Sequence, residues 1–220
     1  TNENKIVSLG AGYTPLHRAE NLGAELGLRN LYLKDDTVNP TYSFKDRPAS
    51  VAVSKAMEFG IAAVGCASTG NLAAATAAHA AKGKLPCYIF IPTGLESNKM
   101  IQTAAYGAEI IVVEGTYDDA NRLATQAAEQ YNWGLLNINI RPYYVEGSKT
   151  LAYEVSEQLG WKTPDVVVVP TASGALLCAL GRGFEEFHRL KLTESNHVKI
   201  CSAQAAGCAP IIDAFRRGSN

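Results

Sequence analysis

The chain has 220 residues, 47% hydrophobic and 19% charged, and a formal net charge of -1 at pH 7. That length and apolar content suffice for one large domain or two small ones with a buried core. The near-zero charge offers no electrostatic footprint for nucleic acid or an anionic membrane, and no apolar run is long enough to span a bilayer.

The first residues, Thr1 to Lys5, are polar and lack the apolar core of a signal peptide, so a soluble cytoplasmic protein is expected. The run Asn39-Pro40-Thr41-Tyr42-Ser43-Phe44-Lys45-Asp46-Arg47-Pro48 is turn-forming, and a helix begins at its end. Ala62 to Ala67 then reads as a buried strand, followed by an alanine-rich helix from Leu72 to Lys82 that Gly83 ends. Leu85 to Ile91 is the next strand, stopped by Pro92, and Ser97 to Tyr106 the next helix, closed by Gly107. Glu109 to Val113 is a strand, Asp118 to Tyr131 a helix and Leu135 to Ile138 a fourth strand. Repeated strand–helix units of this length imply right-handed crossovers and a parallel sheet covered on both faces.

The rhythm breaks at Asn139 to Glu146, where Arg141-Pro142-Tyr143-Tyr144 interrupts it. Gly147 to Leu159 reads as a helix, Asp165 to Val169 as a Val-rich strand, Gly174 to Leu190 as a long helix and Lys199 to Gln204 as a strand. The polar stretch from Lys191 to His197 is a loop. A second sheet begun so near the end has few strands available, so the chain is expected to be a part of a longer protein or a naturally short relative of one.

Cys66, Cys87, Cys178, Cys201 and Cys208 never form C-x-x-C, and the first three lie in apolar runs where cysteine acts as a small hydrophobe. His17, His79, His188 and His197 show no paired metal spacing. No metal site is expected.

Three segments carry candidate chemistry. Lys45, at a turn-to-helix junction, is placed to form a Schiff base with an aldehyde cofactor. Burial and a neighbouring cation, with Arg47 as the candidate, would lower its pKa and free the amine. The competing lysines have simpler readings: Lys34, before two aspartates, as an exposed ion pair, and Lys149 as a surface residue in a first helical turn. The second segment is Ala67-Ser68-Thr69-Gly70-Asn71, between a strand and a helix. It suits either a carboxylate or phosphate at a helix N-terminus, or a plain helix cap by Ser68, Thr69 or Asn71. The third is Pro170-Thr171-Ala172-Ser173-Gly174-Ala175-Leu176, whose small residues allow close approach to a phosphate or tight strand–helix packing. Gly10-x-Gly12 lacks the rest of a dinucleotide fingerprint, Gly147-Ser148-Lys149-Thr150 is not a P-loop, and there is no nucleophile elbow.

Together these segments, in this order, resemble the fold-type II family of pyridoxal-phosphate enzymes, and within it the threonine synthases. Leu9-Gly10-Ala11-Gly12-Tyr13-Thr14-Pro15-Leu16 is similar to the family's opening motif, and Ser43-Phe44-Lys45-Asp46-Arg47 to its cofactor-lysine motif. Ser68-Thr69-Gly70-Asn71 resembles its substrate-carboxylate loop, and Tyr106-Gly107-Ala108-Glu109 and Glu146-Gly147-Ser148-Lys149-Thr150 are also similar to it. The resemblance runs from Gly10 to Gln204. It departs from the family at Tyr42, often Gly, at Leu72, often a hydroxyl residue, and at Arg141-Pro142-Tyr143-Tyr144, where Asn-Pro-x-Arg is common.

The resemblance implies two parallel-sheet α/β lobes of the tryptophan synthase β type. Residues 1–47 and 141–220 would form the large, cofactor lobe, with its C-terminal part missing here, and residues 48–140 the small lobe. It implies pyridoxal 5'-phosphate carried by Lys45, with Asn71 against the ring hydroxyl and Ala172, Ser173, Gly174, Ala175 and Leu176 around the cofactor phosphate. Ser68, Thr69 and Gly70 would take the substrate carboxylate, and Arg141 the substrate phosphate. The residue facing the pyridine nitrogen would lie outside this chain. The implied activity converts O-phosphohomoserine and water to threonine and phosphate, in a homodimer at full length, with a small amino-acid substrate and neither nucleic acid nor membrane as partner. The alternatives are a serine or threonine dehydratase, a β-replacement enzyme of the cysteate synthase type, or a non-catalytic truncated homologue. A nicotinamide oxidoreductase would rest on the α/β rhythm alone.

Overall fold

A computed structural model describes residues 2–94, 100–195 and 197–218. The chain divides into two compact units, Thr1–Gly147 and Ser148–Asn220.

The first unit opens with strands β1 (Leu16–Arg18) and β2 (Tyr32–Lys34), paired antiparallel around helix α1 (Glu20–Leu26). None of the three was expected from the sequence, because segments this short carry too few residues for a period to show. Helix α2 (Asp46–Glu58) follows, beginning at the residue after Lys45 as the turn residues foretold.

Next come β3 (Ala63–Ala67), α3 (Asn71–Gly83), β4 (Cys87–Pro92), α4 (Ile101–Ala105), β5 (Glu109–Val113), α5 (Tyr117–Tyr131) and β6 (Trp133–Leu135). Their four strands make one parallel sheet in the order β5-β4-β3-β6. Every residue of β3 is buried. At its centre Gly65 admits no side chain, since a Cβ would lie 2.0 Å from the Tyr88 carbonyl oxygen. One apolar cluster joins Val53 and Ala56 of α2 and Ala73, Ala77 and Ala80 of α3 to Cys66 and Ile89 of the sheet. A second brings Ala120, Ala124 and Ala128, one stripe of α5, against Ala67, Phe90 and Leu135. In α3 all eight residues from Ala73 to Ala80 are buried.

Four boundaries differ from expectation. β4 begins at Cys87 rather than Leu85, and Pro92, expected to stop it, is its last residue and pairs with Val113 of β5. Gly83 stays inside α3, and Lys84, at φ 55°, takes the left-handed cap instead. The reason is packing: a Cβ on Gly83 would come within 3.1 Å of Met57 Sδ and 3.2 Å of Val7 Cγ2. The fourth strand is Trp133–Leu135 rather than Leu135 to Ile138. Asn139 ends it, its Oδ1 accepting from the Leu135 amide at 2.8 Å and its Nδ2 donating to the Trp133 carbonyl at 2.8 Å. The expected break at 139–146 is mostly helix, since α6 (Arg141–Gln158) starts at Arg141 and Pro142 sits in its first turn, where no amide is needed. Of the helix expected over Ser97 to Tyr106, residues 97–99 lie outside the described residues. The rest is α4, and Gly107 closes it at φ 81° as expected.

The second unit holds the remainder of α6, then β7 (Val166–Pro170), α7 (Ala175–Arg189), β8 (Lys199–Ala203) and α8 (Pro210–Arg217). β7 and β8 pair in parallel, over a core of Ala152, Val169, Leu180 and Phe184. Among the described residues, no helix is long and apolar enough to cross a membrane and no His, Cys, Asp and Glu cluster could hold a metal ion.

Candidate active site

Side-chain bonds fix the turn before α2. Asn39 is buried, its Oδ1 accepting from the Gly12 amide at 2.9 Å and its Nδ2 donating to the Asp36 carbonyl at 3.1 Å. The Asp46 Oδ2 accepts from the Thr41 amide at 2.9 Å and from its hydroxyl at 2.8 Å. Between them Tyr42 is forced to φ 61° with its side chain exposed. Glycine would bear that backbone without strain. Lys45 is thereby held in place while its side chain stays half-buried. Its Nζ donates to the Tyr144 hydroxyl and lies 5.4 Å from the Phe44 ring centre and 5.2 Å from that of Tyr144. The amine does not point into bulk water.

Arg47 is committed elsewhere. Its Nε and Nη2 each bond to the Asp36 carboxylate at 2.8 Å, and Nη2 also reaches the Thr14 hydroxyl at 3.0 Å. With a fully buried side chain and a carboxylate offsetting its charge, it clamps the N-terminal segment to α2. It is therefore a structural ion pair rather than a bare cation raised against the amine. On the other side of α2, buried His79 donates or accepts at Nδ1 with the Ala75 carbonyl at 2.9 Å, 3.7 Å from Asp46 Oδ1. Burial holds the His79 imidazole below its ordinary pKa, although the Ala75 bond and the Asp46 charge pull the other way.

The second segment turns from β3 into α3. Gly70 is its N-cap, and no side chain caps the helix, so the cap by Ser68, Thr69 or Asn71 is not made. Ser68 instead accepts weakly from the Gly70 amide at 3.4 Å. The strand end beneath is fastened: Asn137 accepts from the Ala67 amide at 3.2 Å, and the Tyr117 hydroxyl donates to the Ala67 carbonyl at 3.0 Å. A Cβ on Gly70 would meet nothing within 4 Å, so open space faces the helix N-terminus, beside exposed Asn71. An uncapped helix start over open space suits an anion.

Helix α6 reaches α2 through Gly147. A Cβ there would lie 2.6 Å from Pro48 Cα and 2.7 Å from the Arg47 carbonyl oxygen, so only glycine lets the two backbones meet. This contact brings Tyr144, three residues earlier, to Lys45. Arg141, one turn before Tyr144 on the same helix, is exposed. Tyr144 and Asn137 were missed in the sequence reading; neither residue type nor spacing marks them out, since only the α6–α2 contact and the turn at the end of β3 place them.

In the second unit, Ala172 to Leu176 join β7 to α7. Gly174, at φ 80°, is the N-cap of α7, again with no side-chain cap. The loop is anchored by the Thr171 amide on the Ala203 carbonyl at 2.8 Å and by Gln204 Nε2 on the Ala172 carbonyl at 3.3 Å. Lys149 is buried rather than at the surface, its Nζ 2.6 Å from Glu186 Oε1, while Tyr153 bonds the other carboxylate oxygen. Lys34 is half-buried rather than exposed, and its Nζ donates to the Thr14 carbonyl at 2.6 Å. Cys66 and Cys87 are buried as expected, and burial pushes the Cys66 thiol up to about 12, whereas Cys178 is exposed on α7.

The structure thus joins Lys45 to Tyr144 within the first unit, and places the 68–71 turn there and the 172–176 loop in the second. Within the first unit, a shielded primary amine and an uncapped helix N-terminus fit an aldehyde that also carries an anionic group.

Comparison with known proteins agrees. A family model described as "Pyridoxal-phosphate dependent enzyme" matches residues 7–220. Threonine synthase of Methanocaldococcus jannaschii is 43% identical over 217 residues, which is 98% of this chain and 53% of that protein. Threonine synthase of Methanosarcina acetivorans is 38% identical over 218 residues, 99% and 53% respectively. The chain spans about half the length of the curated relatives it matches. Among solved structures, the processed form of threonine deaminase isoform 2 from Solanum lycopersicum superposes with a TM-score of 0.79 at 24% identity, over 94% of this chain and 55% of that one. Maize serine racemase gives 0.79 at 23%, over 94% and 60%. Likeness at that identity speaks to the fold.

Proposed function

This chain belongs to the family of pyridoxal-phosphate dependent enzymes, and from that premise we propose that it carries the reactive lysine and the anion-binding turns of a threonine synthase, which converts O-phosphohomoserine and water to threonine and phosphate. The cofactor is pyridoxal 5'-phosphate. The observation that carries the proposal is the shielded amine of Lys45, held at its Nζ at the start of α2. Identity of 38% and 43% to threonine synthases over almost the whole chain supports the choice of reaction.

Lys45 would bind the cofactor, with Asn71 on the side of its ring hydroxyl. In the second unit, Ala172, Ser173, Gly174, Ala175 and Leu176 would take the cofactor phosphate. Ser68, Thr69 and Gly70 hold the substrate carboxylate at the uncapped start of α3, where the helix dipole favours an anion. Arg141 takes the substrate phosphate, its exposure leaving it available. When bound, the pyridoxal ring supplies an electron sink for charge developing next to the substrate amino group. Lys45 then moves protons between the α and β carbons, a role that asks for an amine shielded from water and fixed in direction. In the whole protein, residues 1–47 and 141–220 belong to the cofactor lobe and 48–140 to the substrate lobe, and the active form is a cytoplasmic homodimer.

Borohydride treatment of the cofactor-loaded protein, followed by peptide mapping, tests the lysine. A pyridoxyl group is expected on Lys45, and Lys45→Ala is expected to remove it; an adduct at full yield in Lys45→Ala refutes the assignment. Substrate assays test the reaction. Phosphate release from O-phosphohomoserine supports it, while ammonia and a 2-oxo acid from threonine would show a dehydratase instead.

A further inference from the structure

Tyr144 has no place in the scheme above, yet its hydroxyl is the hydrogen-bond partner of the Lys45 amine. Tyr144 is buried, at 8% exposure, and its bond to the half-buried amine is partly screened from water. It is also built rather than incidental. Gly147 lets the first turns of α6 press on the first turn of α2, at a separation no other residue would permit. Tyr144 stands one turn before that contact, and Lys45 immediately precedes the helix it presses on. The amine lies within reach of two rings, those of Phe44 and Tyr144, but only the second offers it a polar atom.

We propose that Tyr144 is a positioning residue for Lys45, its phenol oxygen fixing the direction of the ε-amine. The proposal rests on the reading of Lys45 as the cofactor lysine. An amine released from the cofactor would thus be caught by an oxygen instead of swinging among its rotamers. Removing the acceptor leaves the amine freer to turn toward a reagent.

Competitive labelling of the cofactor-free protein with trace acetic anhydride at pH 8 reads the amine directly. In Tyr144→Phe, labelling of Lys45 relative to the other lysines is expected to rise about three- to tenfold, the worth of one ordinary hydrogen bond. Phe44→Leu, which removes the other ring and keeps the bond, is expected to change it less than about twofold. In the cofactor-loaded protein, the pH midpoint of the visible absorbance is expected to move in Tyr144→Phe, with the borohydride adduct still on Lys45. Unchanged labelling and an unchanged midpoint, with the adduct on Lys45, would overturn the role of Tyr144 and leave the lysine assignment standing. Equal effects in Tyr144→Phe and Phe44→Leu would overturn it too, by reducing the residue to packing. A wild-type adduct on a different lysine would instead overturn the underlying assignment. Should Tyr144→Phe fail to fold by circular dichroism, Tyr144→His replaces it; restoring a polar ring atom, it is expected to hold labelling within about twofold of wild type, and a rise of about threefold or more would count against the proposal.

Discussion

Replacing Gly147 by Ala tests whether the contact between α6 and α2 sets the site. In an exposed helix this change stabilises by about 1 kcal/mol, because alanine has the better propensity. Here the added methyl carbon would sit 2.6 Å from Pro48 Cα and 2.7 Å from the Arg47 carbonyl oxygen. Comfortable carbon–carbon contact begins near about 3.5 Å, so the helices must part by roughly 1 Å. Both obstructing atoms are main chain and cannot rotate aside, which puts the overpacking cost at about 3 kcal/mol, the top of the usual range. After the propensity gain, about 2 kcal/mol of net destabilisation remains, or a fall of roughly 4–8 °C in Tm for a chain this size. Gly181 in α7 is the matched control, since its Cβ would meet nothing nearer than Ile200 Cδ1 at 3.5 Å. Gly181→Ala is expected to stabilise by up to about 1 kcal/mol. Urea unfolding followed by circular dichroism compares the two. If Gly147→Ala proves as stable as Gly181→Ala, the close approach does not exist and the placement of Tyr144 loses its cause.

Two further outcomes follow from buried charge. Asp36→Asn leaves the fully buried Arg47 side chain without its counter-charge and is expected to cost about 3–5 kcal/mol in urea unfolding; a loss under about 1 kcal/mol would show that the clamp is not formed. His79, with its pKa lowered from 6.5 by burial, stays neutral in the fold while the unfolded chain takes up a proton, so its contribution is complete above pH 6.5 and is lost as pH falls below it. Wild-type stability is therefore expected to decline between pH 7 and 5.5, and His79→Gln, which cannot titrate against Asp46, to stay level over that window; parallel curves would refute the point.

Much of the first unit was legible because its elements are long enough to show a period. The buried strand at 62–67, the alanine helix after it and the α5 stripe were all read within a residue or so. Errors came where one side chain decided a boundary. Gly83 looked like a helix stop, but its missing Cβ serves Val7 and Met57 in the core. Asn139 ended a strand three residues early by taking its backbone bonds. Within the site, Lys45 and the two helix-start loops could be picked out by residue type. Tyr144 could not, since 99 residues separate it from Lys45 and only packing joins them. The same holds for Lys149, whose burial depends on Glu186 from another helix.

The enclosure of α3 also bears on how such a protein can change over time. A helix walled in along eight successive positions, six of them alanine and the others Thr76 and His79, has no face on which a bulkier neighbour could be accepted. Mutational drift there is confined to exchanges among the smallest residues, and a saturation scan would show it as an unbroken intolerant band. The glycine and asparagine that begin the helix are consequently mounted on a rigid post, and diversity in what the chain recognises has to arise in the loops around it.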